Sequence, residues 1–184
     1  MRTVTVELES ISAYSQSKML QLKRNKDETW DDFERRTWRD KAHYTEAGNV
    51  FIPQFAFKQA MDSASKYLGK ISGKGNSTWT KHFVGGIVIK ESIILPLKRD
   101  DLTEVWINAN ANGKRGPGTR VPRCFPIIPK WSGNLSCVVL AEEITQEAFG
   151  QAMELAGMLI GVGRFRPENG GDNGRFRVKE IKWN

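Results

Sequence analysis

Two apolar stripes of helical period, each closed by a glycine, constrain the fold more than any other feature. In residues 53–68, Phe57, Ala60, Met61, Ala64 and Leu68 fall on one face. Pro53 suits the first turn, and Gly69 can end the helix in the left-handed conformation. In residues 145–160, Phe149, Ala152, Met153, Ala156, Leu159 and Ile160 repeat the pattern, with Thr145 as cap and Gly161 as stop. A one-sided helix must bury its stripe, and the remaining apolar segments are strand-like. RTVTVEL at 2–8 alternates; VGGIVIKESIIL at 84–95 is β-branched and breaks at Glu91–Ser92. TEVWINA at 103–109, LSCVVLA at 135–141 and RFRVKEIKW at 175–183 complete the set. With insertions set aside, the order is strand–helix–strand–strand–helix–strand. It predicts an α+β chain with a ferredoxin-like (RRM-like, split βαβ) core, helices on one sheet face and the other face open.

Two stretches lie outside that core. Residues 12–50 read as an N-terminal insertion within one domain spanning 1–184. Its first part, 12–27, is a polar, Lys-rich loop, and 30–41 is helical, with Trp30, Phe33, Thr37 and Trp38 on one face. Thr29 and Asp32 resemble a capping box. Arg35 and Arg39 are spaced to pair with Asp31 and Asp32 on a solvated face. Both tryptophans read as core. ISGKGNSTWTK at 71–81 reads as a loop.

Residues 110–131 contain Lys114, Arg115, Arg120, Arg123 and Lys130 and no acid. They also hold Pro117, Pro122, Pro126 and Pro129. Turn signals at Asn112–Gly113 and Gly116–Gly118 make this a projecting basic hairpin, since proline is not expected in a central strand. Its cations suit phosphates, and Phe125 or Trp131 suits a base. A second basic element, GVGRFRPENGGDNG at 161–174, carries Gly163, Arg164, Phe165, Arg166, Gly170, Gly171 and Gly174, and Arg175 and Arg177 follow. Glycines let a backbone approach a phosphate, and arginines supply forked donors. The two basic elements are expected to border one groove on the open sheet face.

The chain has 28 Lys+Arg against 21 Asp+Glu, a formal +7 over 184 residues. That balance points to a polyanionic partner. No apolar run reaches a membrane span, and the N-terminus lacks a signal-peptide core. Two cysteines, Cys124 and Cys137, and two histidines, His43 and His82, exclude a disulfide framework and a His-rich metal site. A soluble, cytoplasmic protein without metal or cofactor is expected. Asp31–Asp32, Asp100–Asp101 and Glu142–Glu143 are adjacent acids that capping explains.

Three segments carry a family resemblance. FIPQFAFKQAMDSASKYLG, running through Ile-Pro into a helix, resembles the "IPGSSLKGALR"-type segment of the CRISPR-associated RAMP proteins, with Gln54 in place of the usual glycine. IGVGRFRPENGGDNGRFRV resembles their glycine-rich signature. The hairpin at 110–131 is similar to the thumb of the backbone subunits of CRISPR effector complexes, and the 12–50 insertion falls where those subunits elaborate the domain. The resemblance implies non-catalytic binding of single-stranded RNA or DNA, with RNA favoured, and head-to-tail self-association along the strand. It also implies association with other CRISPR-related subunits. Two alternatives remain open. One is a RAMP-type endoribonuclease using His43 or His82. The other is a phage-encoded mimic or inhibitor of a CRISPR subunit.

Overall fold

Val4, Val6 and Leu8 are fully buried and alternate with Thr5 and Glu7, so one strand face is committed to the core. Full burial of each such side chain contributes roughly 1.5–3 kcal/mol. The computed structural model describes residues 1–111 and 116–184. In chain order its elements are β1 (Arg2–Ser10), β2 (Tyr14–Ser15), α1 (Trp30–Thr37), β3 (Asn49–Ile52) and α2 (Gln54–Ala64). Next come α3 (Trp79–Gly86), β4 (Ile87–Ile89), β5 (Ile93–Lys98) and β6 (Thr103–Asn110). Finally come β7 (Arg120–Ile128), β8 (Ser132–Val139), α4 (Gln146–Leu155) and β9 (Phe176–Trp183).

The principal sheet has the order β4-β8-β1-β9, and every pair is antiparallel. The chain is therefore α+β. Phe57, Met61, Phe149 and Met153, from the two predicted stripes, are fully buried with Val4, Val6 and Leu8 in one core. Thr3, Thr5, Glu7, Asn134 and Ser136 line the other, more polar face. Thr145 caps α4 by accepting from the Ala148 amide, an arrangement worth about 1 kcal/mol.

Four local expectations are corrected. Residues 79–86 form α3, although 71–81 reads as loop and 84–86 as strand. Phe83 is fully buried, and Gly86 packs so closely on Ala141 that a Cβ would lie 2.4 Å from its methyl. The segment after α4 ends in a π turn, Ala156–Ile160. Its wider turn buries Gly157 and Ile160 and leaves Leu159 exposed, so Leu159 is outside the stripe. Trp30 is 62% exposed and does not belong to the core, unlike Trp38. The 12–27 segment contains β2, whose Tyr14 and Ser15 pair with Ile128 and Ile127.

The hairpin of β6 and β7 is docked, and two of its prolines, Pro122 and Pro126, occupy a strand with neighbours on both sides, order β2-β7-β6. Backbone direction explains this. The Cys124 amide donates to Glu34, not to β6, at 2.8 Å. Pro122 and Pro126 are two residues away on either side, so their nitrogens also point away from β6. β2 pairs with Ile127 and Ile128 alone, and no ladder bond is lost.

Residues 12–50 are tied to one another and to β3. Gln16 Nε2 donates to the Phe51 carbonyl at 2.7 Å, and Gln16 Oε1 accepts from the His43 amide at 2.5 Å. The Lys18 amide donates to the Lys41 carbonyl at 2.8 Å. No helix among the described residues is long and apolar enough to cross a membrane.

Candidate nucleic-acid interface

The candidate interface is organised around one buried carboxylate. Thr29 caps α1 by accepting from the Asp32 amide, and one turn later the helix aims Glu34 at β7. Its carboxylate accepts from Lys41 Nζ, from Arg123 Nη1 at 2.7 Å and from the Cys124 amide. Lys41 also donates to the Cys124 carbonyl at 2.7 Å. Burial by itself raises the Glu34 pKa and is the largest single influence. The hydrogen bonds from Lys41, Cys124 and Arg123 together outweigh it, and the carboxyl sits below its ordinary value.

Arg164 approaches the same place from the loop after α4. Its amide donates to the Ser15 carbonyl at 2.8 Å, which fixes the loop on β2. Its guanidinium lies 3.7 Å from the Phe125 centroid and 4.6 Å from that of Phe165. The two rings meet edge-on at 6.2 Å. Nη1 reaches Ser17 Oγ at 3.3 Å, and Nε is buried without a hydrogen-bond partner. Burial, and then the nearby Arg123 charge, lowers the Arg164 pKa. Glu34 is already shared between two other cations, so Arg164 is a cation held by rings and not by a carboxylate.

Two cavities share Arg164 and Ser17 in their walls. The first, about 560 Å³, is lined by Tyr14, His43, the start of α2 at Phe55 and Gln59, and the loop from Gly161 to Arg166. The second, about 600 Å³, is lined by Lys18, Lys23, Arg24, Lys41 and Arg123, with Glu34 as its acid. Together they offer aromatic surface on one side and cations on the other, the two ingredients of single-strand binding.

The expected site residues divide. Arg123, Gly163, Arg164, Phe165 and Arg166 come together at these walls. Arg120 is exposed on β7, and Lys114 and Arg115 lie outside the described residues. Arg175 is tied to Asp172 and the Met158 carbonyl. Arg177 pairs with Glu9 at 2.6 Å across the sheet. The glycines serve internal packing: a Cβ at Gly163, Gly171 or Gly174 would lie 1.8–2.4 Å from backbone oxygens of Ser15, Phe165 or Val162. Gly170, with φ +75°, ends a short 3-10 turn. The groove expected on the open sheet face is corrected as well. Loop and hairpin do meet, but beside the start of α2 and the insertion, because both pack on β2. Trp131 is buried against Tyr14, Phe57 and Phe176 and is not a base platform. Phe125 is buried beneath Arg164.

Sequence reasoning missed Glu34, Lys41 and Phe55. The helix at 30–41 reads as a solvated face, and only its pairing with β7 shows otherwise. Arg35 lies over Trp106 at 4.9 Å and Arg39 over Trp38 at 4.2 Å, so tryptophans take the places expected for Asp31 and Asp32. His43 stands 5.4 Å from Phe51 and 6.2 Å from Phe55, ring to ring. Burial, and then Lys18, lowers its pKa. His82 is in α3, with Nδ1 3.4 Å from Glu143 Oε2, and neither cavity wall includes it. Among the described residues, no three His, Cys, Asp or Glu side chains gather as a metal site.

Two solved structures share this architecture. A chain in the cryo-EM structure of the Type III-B Cmr-beta bound to cognate target RNA aligns with a TM-score of 0.58 at 14% identity, over 99% of this chain and 60% of that one. The present chain thus spans about 60% of that neighbour's length. The crystal structure of Cmr6 from Pyrococcus furiosus aligns with a TM-score of 0.50 at 16% identity, over 97% of this chain and 99% of that one. No protein-family model and no curated protein sequence matches the chain. At these identities the likeness is one of fold alone.

Proposed function

We propose that this protein binds single-stranded nucleic acid, RNA in preference to DNA, without cutting it. The strand occupies the cleft between the insertion, the β6–β7 hairpin and the Gly/Arg loop. The observation that carries this reading is the meeting of Arg123 and Lys41 on the buried Glu34 carboxylate, with Arg164 held on Phe125 in the same walls, next to Phe55, His43 and Phe165. A cluster with more cations than acids is completed by phosphate, and the exposed ring of Phe55 offers a stacking face. The fold supports the choice of RNA by analogy, since one neighbour's structure contains cognate target RNA.

The strand order β4-β8-β1-β9, with α2 and α4 between successive strands, supports a split βαβ core. On this reading copies associate head to tail along the strand, beside other CRISPR-related subunits. An open array adds one protomer per repeat of strand length.

The test is a binding titration with RNA and DNA oligonucleotides at several salt concentrations. The expected result is tighter binding of single-stranded RNA, weakening with salt by a log–log slope of about −0.7 per phosphate contacted. Absence of binding to either strand type at low salt overturns the proposal. Light scattering on longer oligonucleotides reads the assembly, which requires mass to climb in single-protomer steps.

A further inference from the structure

Phe165 has φ +58°, and it is the non-glycine residue with a left-handed backbone among those described. That conformation is unfavourable for a bulky side chain, because Cβ crowds the carbonyl. Its surroundings fix it there. The Phe165 carbonyl accepts from the Asn173 amide at 3.0 Å, and Gly171 packs so closely that a Cβ would lie 1.9 Å from the Phe165 oxygen. Glycine would relieve the strain at this position, and among the described residues glycine occupies nine other positive-φ sites. The ring is only half-buried, so packing alone does not account for it.

The contacts of the ring give the reason. The Phe165 ring meets Phe125 edge-on and lies 4.6 Å from the Arg164 guanidinium, which in turn covers Phe125. Arg164 has no carboxylate to orient it, and its Nε is sealed off without a partner. The two rings, with Ser17 Oγ accepting from Nη1 at 3.3 Å, therefore set the direction of its remaining N–H donors. Because φ is positive at Phe165, the ring folds back on the side chain just before it, which an extended residue would not do.

We infer that Phe165 is a positioning residue for phosphate binding, kept against backbone strain because its ring holds the Arg164 guanidinium edge toward the cleft. The inference rests on the nucleic-acid reading above and adds what orients the contact. An oriented donor makes a contact at less entropic cost than a free one.

Three variants test it: Phe165→Tyr keeps the ring, Phe165→Leu keeps bulk and strain without a ring, and Phe165→Gly removes both. Each is titrated with a single-stranded RNA oligonucleotide at several salt concentrations, alongside a thermal melt. The Tyr variant is expected to bind as wild type. The Leu and Gly variants are expected to bind five- to tenfold more weakly, with the salt slope shallower by about 0.7, one phosphate contact. The Gly variant is expected to melt no lower than the Leu variant, because it loses the strain. Leu or Gly variants that bind as wild type with an unchanged slope overturn the role of Phe165 and leave the binding reading intact. Failure of wild-type protein to bind overturns both.

Discussion

The Arg164 guanidinium carbon stands 3.7 Å from the centre of the Phe125 ring. One residue comes from the loop after α4 and the other from β7, so this contact joins the two basic segments. It leaves Arg164 short of a negative partner, because Glu34 already accepts from Lys41, Arg123 and the Cys124 amide. A guanidinium stacked in this way keeps its edge for a planar or phosphate acceptor.

Replacing Arg164 with Ala is expected to weaken single-strand binding about tenfold, ~1.4 kcal/mol. Arg164→Lys should recover only part, since an ammonium lacks the planar fork and stacks poorly. Arg177→Ala serves as the comparison. That side chain pairs with Glu9 on the sheet, so its loss should leave affinity within twofold. Filter binding at fixed salt distinguishes the three.

Glu34→Ala removes the shared acceptor from a buried set of donors. Uncompensated buried charge of this kind costs roughly 3–5 kcal/mol, and the thermal midpoint should fall by about 10 °C in a domain of this size. The same carboxylate predicts a pH dependence. Its folded pKa lies below the ordinary 4.5, so its stabilising contribution is present above pH 4.5 and is lost as pH falls through the folded value. Denaturant melts at pH 7 and pH 3.5 should show that loss.

Gly73 and Gly174 have nearly the same φ, +74° and +76°. Nothing lies within 4 Å of a Cβ at Gly73, whereas one at Gly174 would lie 1.8 Å from the Val162 carbonyl oxygen. Alanine at Gly73 should cost about 1 kcal/mol, the conformational penalty alone. Alanine at Gly174 should cost at least about 2 kcal/mol more, because backbone must move. Paired urea melts measure the difference directly.

Cys124 and Cys137 are free and buried, and burial pushes both thiols up to about 12. A disulfide-exchange reagent at pH 8 should leave both unmodified in the native protein and modify both in denaturant. Rapid reaction of either thiol under native conditions would contradict the packing of β7 or β8.

The parts of this architecture written in local sequence were legible. β1 alternates strictly, and the stripes of α2 and α4 bury Phe57, Met61, Phe149 and Met153 as their spacing requires. Thr29 and Thr145 cap the helices that follow them. What stayed hidden depends on partners distant in sequence. Glu34 looks solvated until β7 is set against it, and a two-residue strand such as β2 has no period to detect. Gly163, Gly171 and Gly174 look like a phosphate cradle, yet each is accounted for by a carbonyl oxygen that the sequence does not place nearby. Prolines in β7 argued for a free arm, because the side of a strand that carries its hydrogen bonds is not encoded in composition.

The Gln16 clamp has one more consequence. Gln16 and Lys18 tie the start of the insertion to Phe51, His43 and Lys41, while Glu34 and Lys41 tie its end to β7. Between those anchors, residues 19–27 are largely exposed. Proteolytic scission there would sever a peptide bond without severing the particle. The two fragments would elute together under native conditions and separate only on denaturing gels, and the longer one would retain every strand from β3 onward.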